Sequence, residues 1–274
     1  MIIHSDWHIH SENSYDATNP ITTIGDNANA QGLRRFGITD HANLNDARFR
    51  GNIEDSACNV KELQEKYPNM VLGVELTPIE RPLYDYICKH GIRDGYIPPA
   101  SYDYRDFAVA YTKEELQALG IRYSVAAAHW GLFAPSSADI KENLESWHYQ
   151  QLTLACDERT TILGHPWWHG KALWYENFEW IPRAMHLELA AALKENGKFV
   201  ECNSHFFCTA KTDEKFRHQY AEFLRELFEM GIPVTYGSDA HKAYIDARPR
   251  VENYLSAVGF VDGDFSDLSE KDFW

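Results

Sequence analysis

Residues 6–16 read Asp-Trp-His-Ile-His-Ser-Glu-Asn-Ser-Tyr-Asp. In extended backbone every second side chain shares a face, so His8 and His10 point together and can reach one ion, with Asp16 six residues on. The spacing recurs in Tyr236-Gly-Ser-Asp-Ala-His241, which offers Asp239 and His241. Between the two, four more short apolar runs end in metal-competent residues. Gly37-Ile-Thr-Asp-His41 gives Asp40 and His41, and Gly73-Val-Glu-Leu76 gives Glu75. Ala126-Ala-Ala-His-Trp130 gives His129, and Ile162-Leu-Gly-His-Pro166 gives His165. A single histidine after a strand is more often a hydrogen-bonded structural residue, and His-x-His is common by chance. Six strand ends carrying the same chemistry form a joint signal of a different order.

The runs themselves set the architecture. Candidate strands are Ile2–Trp7, Arg35–Thr39, Met70–Leu76, Tyr123–Ala128, Thr161–Gly164, Phe199–Cys202 and Val234–Gly237. Helical patterns occupy Ile24–Leu33, Ile53–Lys66, Ala138–Glu158, Ile181–Asn196 and Asp213–Met230. Asn196-Gly197 and Met230-Gly231 read as glycine-type helix stops. Strand–helix alternation repeated about seven times predicts an α/β parallel sheet with right-handed crossovers. An open doubly wound sheet competes with a closed barrel, but residues from nearly every strand must converge, which favours closure. In such barrels the C-terminal strand ends share one face, and that face holds the site.

Two stretches break the rhythm. The first, 77–122, is a long tyrosine-rich insertion in which Thr112-Lys-Glu-Glu115 reads as a capping box. The second, 166–180, is rich in tryptophan, and both are candidates for lips over a pocket or seals of the barrel end. The tail after Gly259 is acidic and expected on the surface. With no linker or repeat, residues 1–274 are read as a single domain.

Bulk composition narrows the function. The chain has 274 residues, 44% hydrophobic and 14% aromatic, and a formal net charge of −15. Such a field repels a long polyanion and leaves a small phosphorylated substrate open. No apolar run suits a membrane span, the start lacks signal-peptide features, and five scattered cysteines suit reduced thiols, so a cytoplasmic location is expected. Imidazole mixed with carboxylate, and no cysteine among them, suits zinc, iron or manganese in an open site.

The ordered set DWHIHS, ITDH, GVE, the histidine of AAHW, GHP, ECN and GSDAH resembles the PHP (polymerase and histidinol phosphatase) superfamily over nearly the whole chain. The resemblance implies a distorted (β/α)7 TIM-like barrel with three divalent metals. His8, His10, Glu75 and Asp239 are then the ligands of the first metal. Glu75 bridges to a second held by His129 and His165, and Asp16, His41 and His241 hold the third. The implied chemistry is phosphate-ester hydrolysis by a metal-bridging hydroxide, with Glu75 and Asp239 at its centre and Asp239 orienting or deprotonating the nucleophile. A small phosphomonoester is the expected substrate, histidinol phosphate being one possibility. Alternatives are a nucleotide or oligonucleotide phosphodiesterase, an amidohydrolase-type enzyme (against which stands the lack of a strand-end lysine), and a metal-stabilised binding module without activity.

Beyond the ligand set, Glu201, Asn203, His205 and Arg248 are candidates for substrate contact, Glu201 also for anchoring a ligand. Asp40 is a candidate for orienting one. Arg105, Arg250 and His169 are weaker candidates for phosphate. His4, His90, His148, His186 and His218 are assigned structural roles.

Overall fold

A computed structural model describes residues 1–42, 52–91, 95–97, 99, 106–129, 140–168 and 177–274. His169 and Arg105 lie outside them. Seven parallel strands follow one another around the sheet: β1 (Asp6–Ile9), β2 (Phe36–Ile38), β3 (Met70–Leu76), β6 (Tyr123–Ala126), β7 (Ile162–Leu163), β8 (Phe199–Asn203) and β9 (Val234–Gly237). The last returns to the first through a parallel bridge between Ile9 and Ala240, where the His10 N–H donates to the Ala240 carbonyl at 3.1 Å. The sheet thus forms a nearly closed (β/α)7 barrel. It is distorted because the strands are short, β7 pairing through two residues only, and because the β1–β2 register shifts between Asp6 and Ile9.

Helices α1 (Ile21–Ala30), α2 (Asn52–Leu63), α5 (Ile140–Cys156), α6 (Arg183–Glu195) and α8 (Glu214–Glu229) follow their strands. Each overlaps the helix expected from periodicity. Gly197 and Gly231, at φ +62° and +86°, end the last two as anticipated. The first strand starts later than its apolar run suggested. Ile2 and Ile3 precede it and donate their backbone N–H groups to Glu252 Oε1, because β2 offers only three residues to pair with. The insertion carries structure of its own: an antiparallel pair, β4 (Pro78–Glu80) with β5 (Phe107–Val109), and helices α3 (Arg81–His90) and α4 (Lys113–Ala118). The capping box forms as read, Glu115 N–H on Thr112 Oγ1 at 3.2 Å and Thr112 N–H on Glu115 Oε2 at 2.7 Å. Short α7 (His205–Cys208) and α9 (Arg248–Ala257) complete the set. Among the described residues no helix is long and apolar enough to cross a membrane.

The lower half of the barrel is filled by rings. Tyr123 spans the interior and donates its hydroxyl to the Trp7 carbonyl at 2.8 Å. Its ring takes the space above Gly37, where a β-carbon would come within 1.6 Å of the Tyr123 hydroxyl oxygen. The tail beyond Gly259, expected on the surface, is instead the plug of this end. Leu268 and Phe273 pack with Trp7, Tyr123, Val125 and Ile162. Arg122 lies 4.6 Å over the Phe273 ring and pairs with Glu270 at 2.7 Å. The tail's acidic residues face outward, while every few positions an apolar side chain enters the barrel mouth. Leu268→Ala is expected to destabilise the protein by about 2–5 kcal/mol through the cavity left at a 1% exposed position. Urea unfolding of both proteins measures this, and an unchanged midpoint would show that the tail is not part of the packed barrel.

Candidate metal centre

At the other end of the barrel the strand termini bring nine side chains together. The centre is Glu75, on β3 and fully buried. Its Oε1 lies 3.2 Å from Nε2 of both His129 and His165. Its Oε2 lies 2.8 Å from His41 Nδ1, 3.3 Å from His10 Nε2 and 3.5 Å from His8 Nε2. Asp239 Oδ1 stands 3.3 Å from His10 Nε2 and 3.6 Å from His8 Nε2. Asp16 Oδ2 is 3.4 Å from His41 Nε2 and 3.5 Å from His241 Nε2. Every residue expected as a ligand is in this one cluster.

Surrounding groups fix how the rings face. His8 Nδ1 is 2.7 Å from Glu201 Oε1, His129 Nδ1 is 2.9 Å from Thr77 Oγ1, and His241 Nδ1 is 2.9 Å from the Asp239 carbonyl. With Nδ1 protonated and donating outward, each ring turns an Nε2 lone pair inward, which is how metal-binding imidazoles are held. The Glu201 carboxylate is consumed by this task. Its second oxygen accepts the His165 N–H at 2.5 Å and Asn203 Nδ2 at 3.2 Å. Glu201 is therefore an anchor of two histidines, and the expectation of substrate contact is corrected. Gly237 makes room for it: a β-carbon there would sit 1.8 Å from Glu201 Oε1. His165 and Asp239 themselves adopt positive φ, +25° and +55°, backbone that non-glycine residues keep only where the surroundings enforce it.

Asp40 acts on the loop after β1 and touches no ligand ring. It accepts the Ser11 N–H and hydroxyl, each at 2.6 Å, and the Ser56 hydroxyl. Asp6, Ser14 and Thr77 went unrecognised in the sequence. Asp6 accepts the N–H groups of His8 and Ser238 and the Tyr244 hydroxyl, and burial pushes its carboxyl up to about 6. The quoted DWHIH places Asp6 on the same strand face as His8, the one signal that could have marked it.

Arg248 is a correction. It is 3% exposed, paired with Asp246 at 2.8 Å, and donates to the Gln31 carbonyl at 2.9 Å. Gln31 caps α1 at the far end of the barrel from the metal centre, so this guanidinium supports the fold and does not meet a substrate. Asn203 is buried, bonding Asp239 Oδ2 at 3.3 Å, and so steers a carboxylate of the cluster. His205 sits at the rim, its ring 6.2 Å from that of Trp168. Of the histidines given structural roles, His148 pairs with Glu188 and His186 packs on Phe223.

Burial opposes charge at His8, His41, Glu75 and Asp239, yet their mutual attraction prevails at all four. Glu201, Asp239 and Glu75 lift His8 well above the usual histidine range against that burial. His41 likewise rises to about 10 beside Glu75 and Asp16. Glu75 and Asp239 are held well below the usual carboxylate range by the surrounding histidines. At His129 desolvation wins and the ring stays neutral. The donor set fits divalent cations. His8 and His10 turn Nε2 atoms to within 3.1 Å of each other, while His41 Nδ1 and Glu75 Oε2 are buried without a hydrogen bond of proper geometry. Three groups of ligand atoms each lie within 4.8 Å of one another: His8, His10 and Asp239; His41, Glu75 and His129; and His10, His41 and His241.

The PHP domain model matches residues 6–258, which takes in all seven barrel strands and the whole cluster. The chain belongs to the PHP domain family. A protein of Acetivibrio thermocellus named "Probable phosphatase" is 39% identical over 72 residues, which cover 26% of this chain and 29% of that one. The chain thus matches under a third of that relative's length. A histidinol phosphate phosphatase from Lactococcus lactis, solved with zinc, L-histidinol and phosphate, superposes with a TM-score of 0.69 at 18% identity, covering 100% of this chain and 99% of its own. The hisK product of Listeria monocytogenes superposes at 0.56 and 12% identity, covering 87% and 95%. At these identities the two structures speak for the fold.

Because Glu201 holds two histidines, Glu201→Gln is expected to weaken divalent-metal binding about ten- to a hundredfold with the fold intact. Calorimetric titration with Zn²⁺ reads the change, and equal affinity in both proteins would remove Glu201 from the centre's support.

Proposed function

We propose that this chain is a metal-dependent phosphatase acting on small phosphomonoesters. The observation that carries the reading is the convergence of six histidines and three carboxylates on one volume around Glu75. His8, His10, Glu75 and Asp239 hold one ion, Glu75, His129 and His165 a second, and Asp16, His41 and His241 a third, with zinc, manganese or iron as candidates. Ions bound there supply charge neutralisation at the phosphoryl oxygens and a water of lowered pKa.

The protein's own groups divide the remaining work. Glu75, with a side chain 1% exposed, lies in the middle of the set and holds it together. Of the two carboxylates given to the first ion, Asp239 is the more exposed at 17%, so it faces incoming water and substrate there. Asn203 steers its Oδ2, which leaves it placed to orient the nucleophile and take up its proton. The net charge of −15 favours a compact substrate over a long nucleic acid. The Lactococcus relative was solved with L-histidinol and phosphate, and L-histidinol phosphate is the first substrate proposed here. We place the reaction in the cytoplasm, where the free cysteines stay reduced.

The test is phosphate release from a panel of phosphomonoesters by protein loaded with Mn²⁺, Zn²⁺ or Fe²⁺, with and without chelator. Release abolished by chelator, and reduced at least about a hundredfold in both His129→Ala and Asp239→Asn, is the expected result. For Asp239→Asn the loss is expected in kcat with metal content retained. Full metal occupancy with no release from any ester would overturn the reading.

A further inference from the structure

We propose that Trp168 and His205 form the subsite for the departing part of the substrate, and that this subsite takes a planar nitrogen heterocycle. The proposal rests on the phosphatase reading above for the placement of the phosphoryl group. Neither residue belongs to the ligand set, and both come from strand ends. Trp168 lies five residues beyond β7, its N–H bonded to the His165 carbonyl at 2.9 Å. Its half-buried indole stands edge-on to His165 at 5.5 Å and to His129 at 6.0 Å between centroids. His205 follows β8 by two residues. Its N–H bonds Asn203 Oδ1 at 2.8 Å, so the residue that steers Asp239 also places His205.

The decisive feature is His205 Nε2. It is shielded from solvent and has no hydrogen-bond partner, whereas buried polar nitrogens are almost always paired. Other described nitrogens also lack a hydrogen bond, but Trp7 Nε1 lies in the lower barrel, His148 Nδ1 and His186 Nε2 in the helical layer, and His41 Nδ1 and His165 Nδ1 on rings of the metal centre. His205 lies at the rim of the metal centre, where a ligand can supply the missing partner. An indole wall beside one unpaired imidazole nitrogen suits a flat group that covers the ring and offers a nitrogen or oxygen to hydrogen-bond. A polyol covers the indole poorly. An imidazole and a purine both meet the requirement, and the assay tells them apart.

The metal-loaded protein is assayed with L-histidinol phosphate, adenosine 5′-monophosphate and glycerol 3-phosphate, and calorimetry measures binding of L-histidinol and adenosine. The expected result is a kcat/KM at least about tenfold higher for one ring-bearing ester than for glycerol 3-phosphate. Trp168→Ala and His205→Ala should each erode that preference about ten- to a hundredfold, chiefly through KM. Trp168→Phe and His205→Asn, which keep a ring and a hydrogen-bonding group, should restore much of it. The better ring ester identifies the heterocycle. Hydrolysis without preference, or equal losses on all three esters, overturns the subsite and leaves the phosphatase reading standing. Binding of L-histidinol or adenosine that both alanine variants weaken, with no ester hydrolysed, supports the subsite and removes the phosphatase reading. Neither binding nor hydrolysis overturns both.

Discussion

One buried carboxylate, Glu75, constrains the rest of the molecule. Five imidazoles lie within 3.5 Å of its two oxygens, on a strand end closed to water. A carboxylate in that position is stable only if cationic or strongly donating groups surround it from several sides. In a parallel barrel several sides means several strands, because each strand end contributes one or two side chains to the central volume. The closure of β1 onto β9 is therefore a requirement of the site as much as of the sheet. An open sheet would leave Asp239 and His241 at one edge and His8 and His10 at the other, and the approach of Asp239 to both histidines would be lost.

That requirement explains where the backbone departs from ordinary conformation. His165 and Asp239 hold positive φ at the two strand ends where Glu201 and Asn203 impose direction, one by accepting the His165 N–H, the other by bonding Asp239 Oδ2. Such strain persists only when neighbouring bonds over-determine it. Here the neighbours are themselves buried: Glu201 is wedged against Gly237, and Asn203 is fully enclosed. The lower barrel is filled by Tyr123, Trp7 and the Leu268–Phe273 plug, and His8 follows Trp7 directly on β1.

The sequence made the strand ends legible because ligand chemistry repeats at fixed offsets from apolar runs. His8 and His10 alternate, GITDH ends in His41, and GVEL encloses Glu75; none of these needs a tertiary contact to be recognised. The barrel followed from the count of those runs. What stayed hidden depends on long-range pairing. Arg248 follows the last strand-end motif closely in sequence, yet residues 242–247 carry it to the far end, where Asp246 and the Gln31 carbonyl hold it. The acidic tail read as surface because five carboxylates stand among its last fifteen residues, although Phe260, Leu268 and Phe273 decide where it packs. Asp6 and Thr77 act through hydrogen bonds to Ser238, Tyr244 and His129, partners that no local pattern specifies.

The arrangement also separates what the fold needs from what the chemistry needs. Below the ligand layer the barrel is closed by apolar and aromatic side chains, whose packing is indifferent to metal. Above it, carboxylates and imidazoles attract one another despite burial: Glu75 lifts His8 and His41 above the usual histidine range, and the histidines hold Glu75 below the usual carboxylate range. The two layers meet at alternating residues of the same strands: Trp7 packs downward while His8 turns to the centre, and Val74 is buried beside Glu75. Because side chains alternate along a strand with period two, a one-residue slip in β1 or β3 exchanges a core side chain for a ligand. Register is thus fixed twice, by the hydrophobic layer and by the charge cluster. The positions of the clustered carboxylates and imidazoles are accordingly set by the register of the barrel itself.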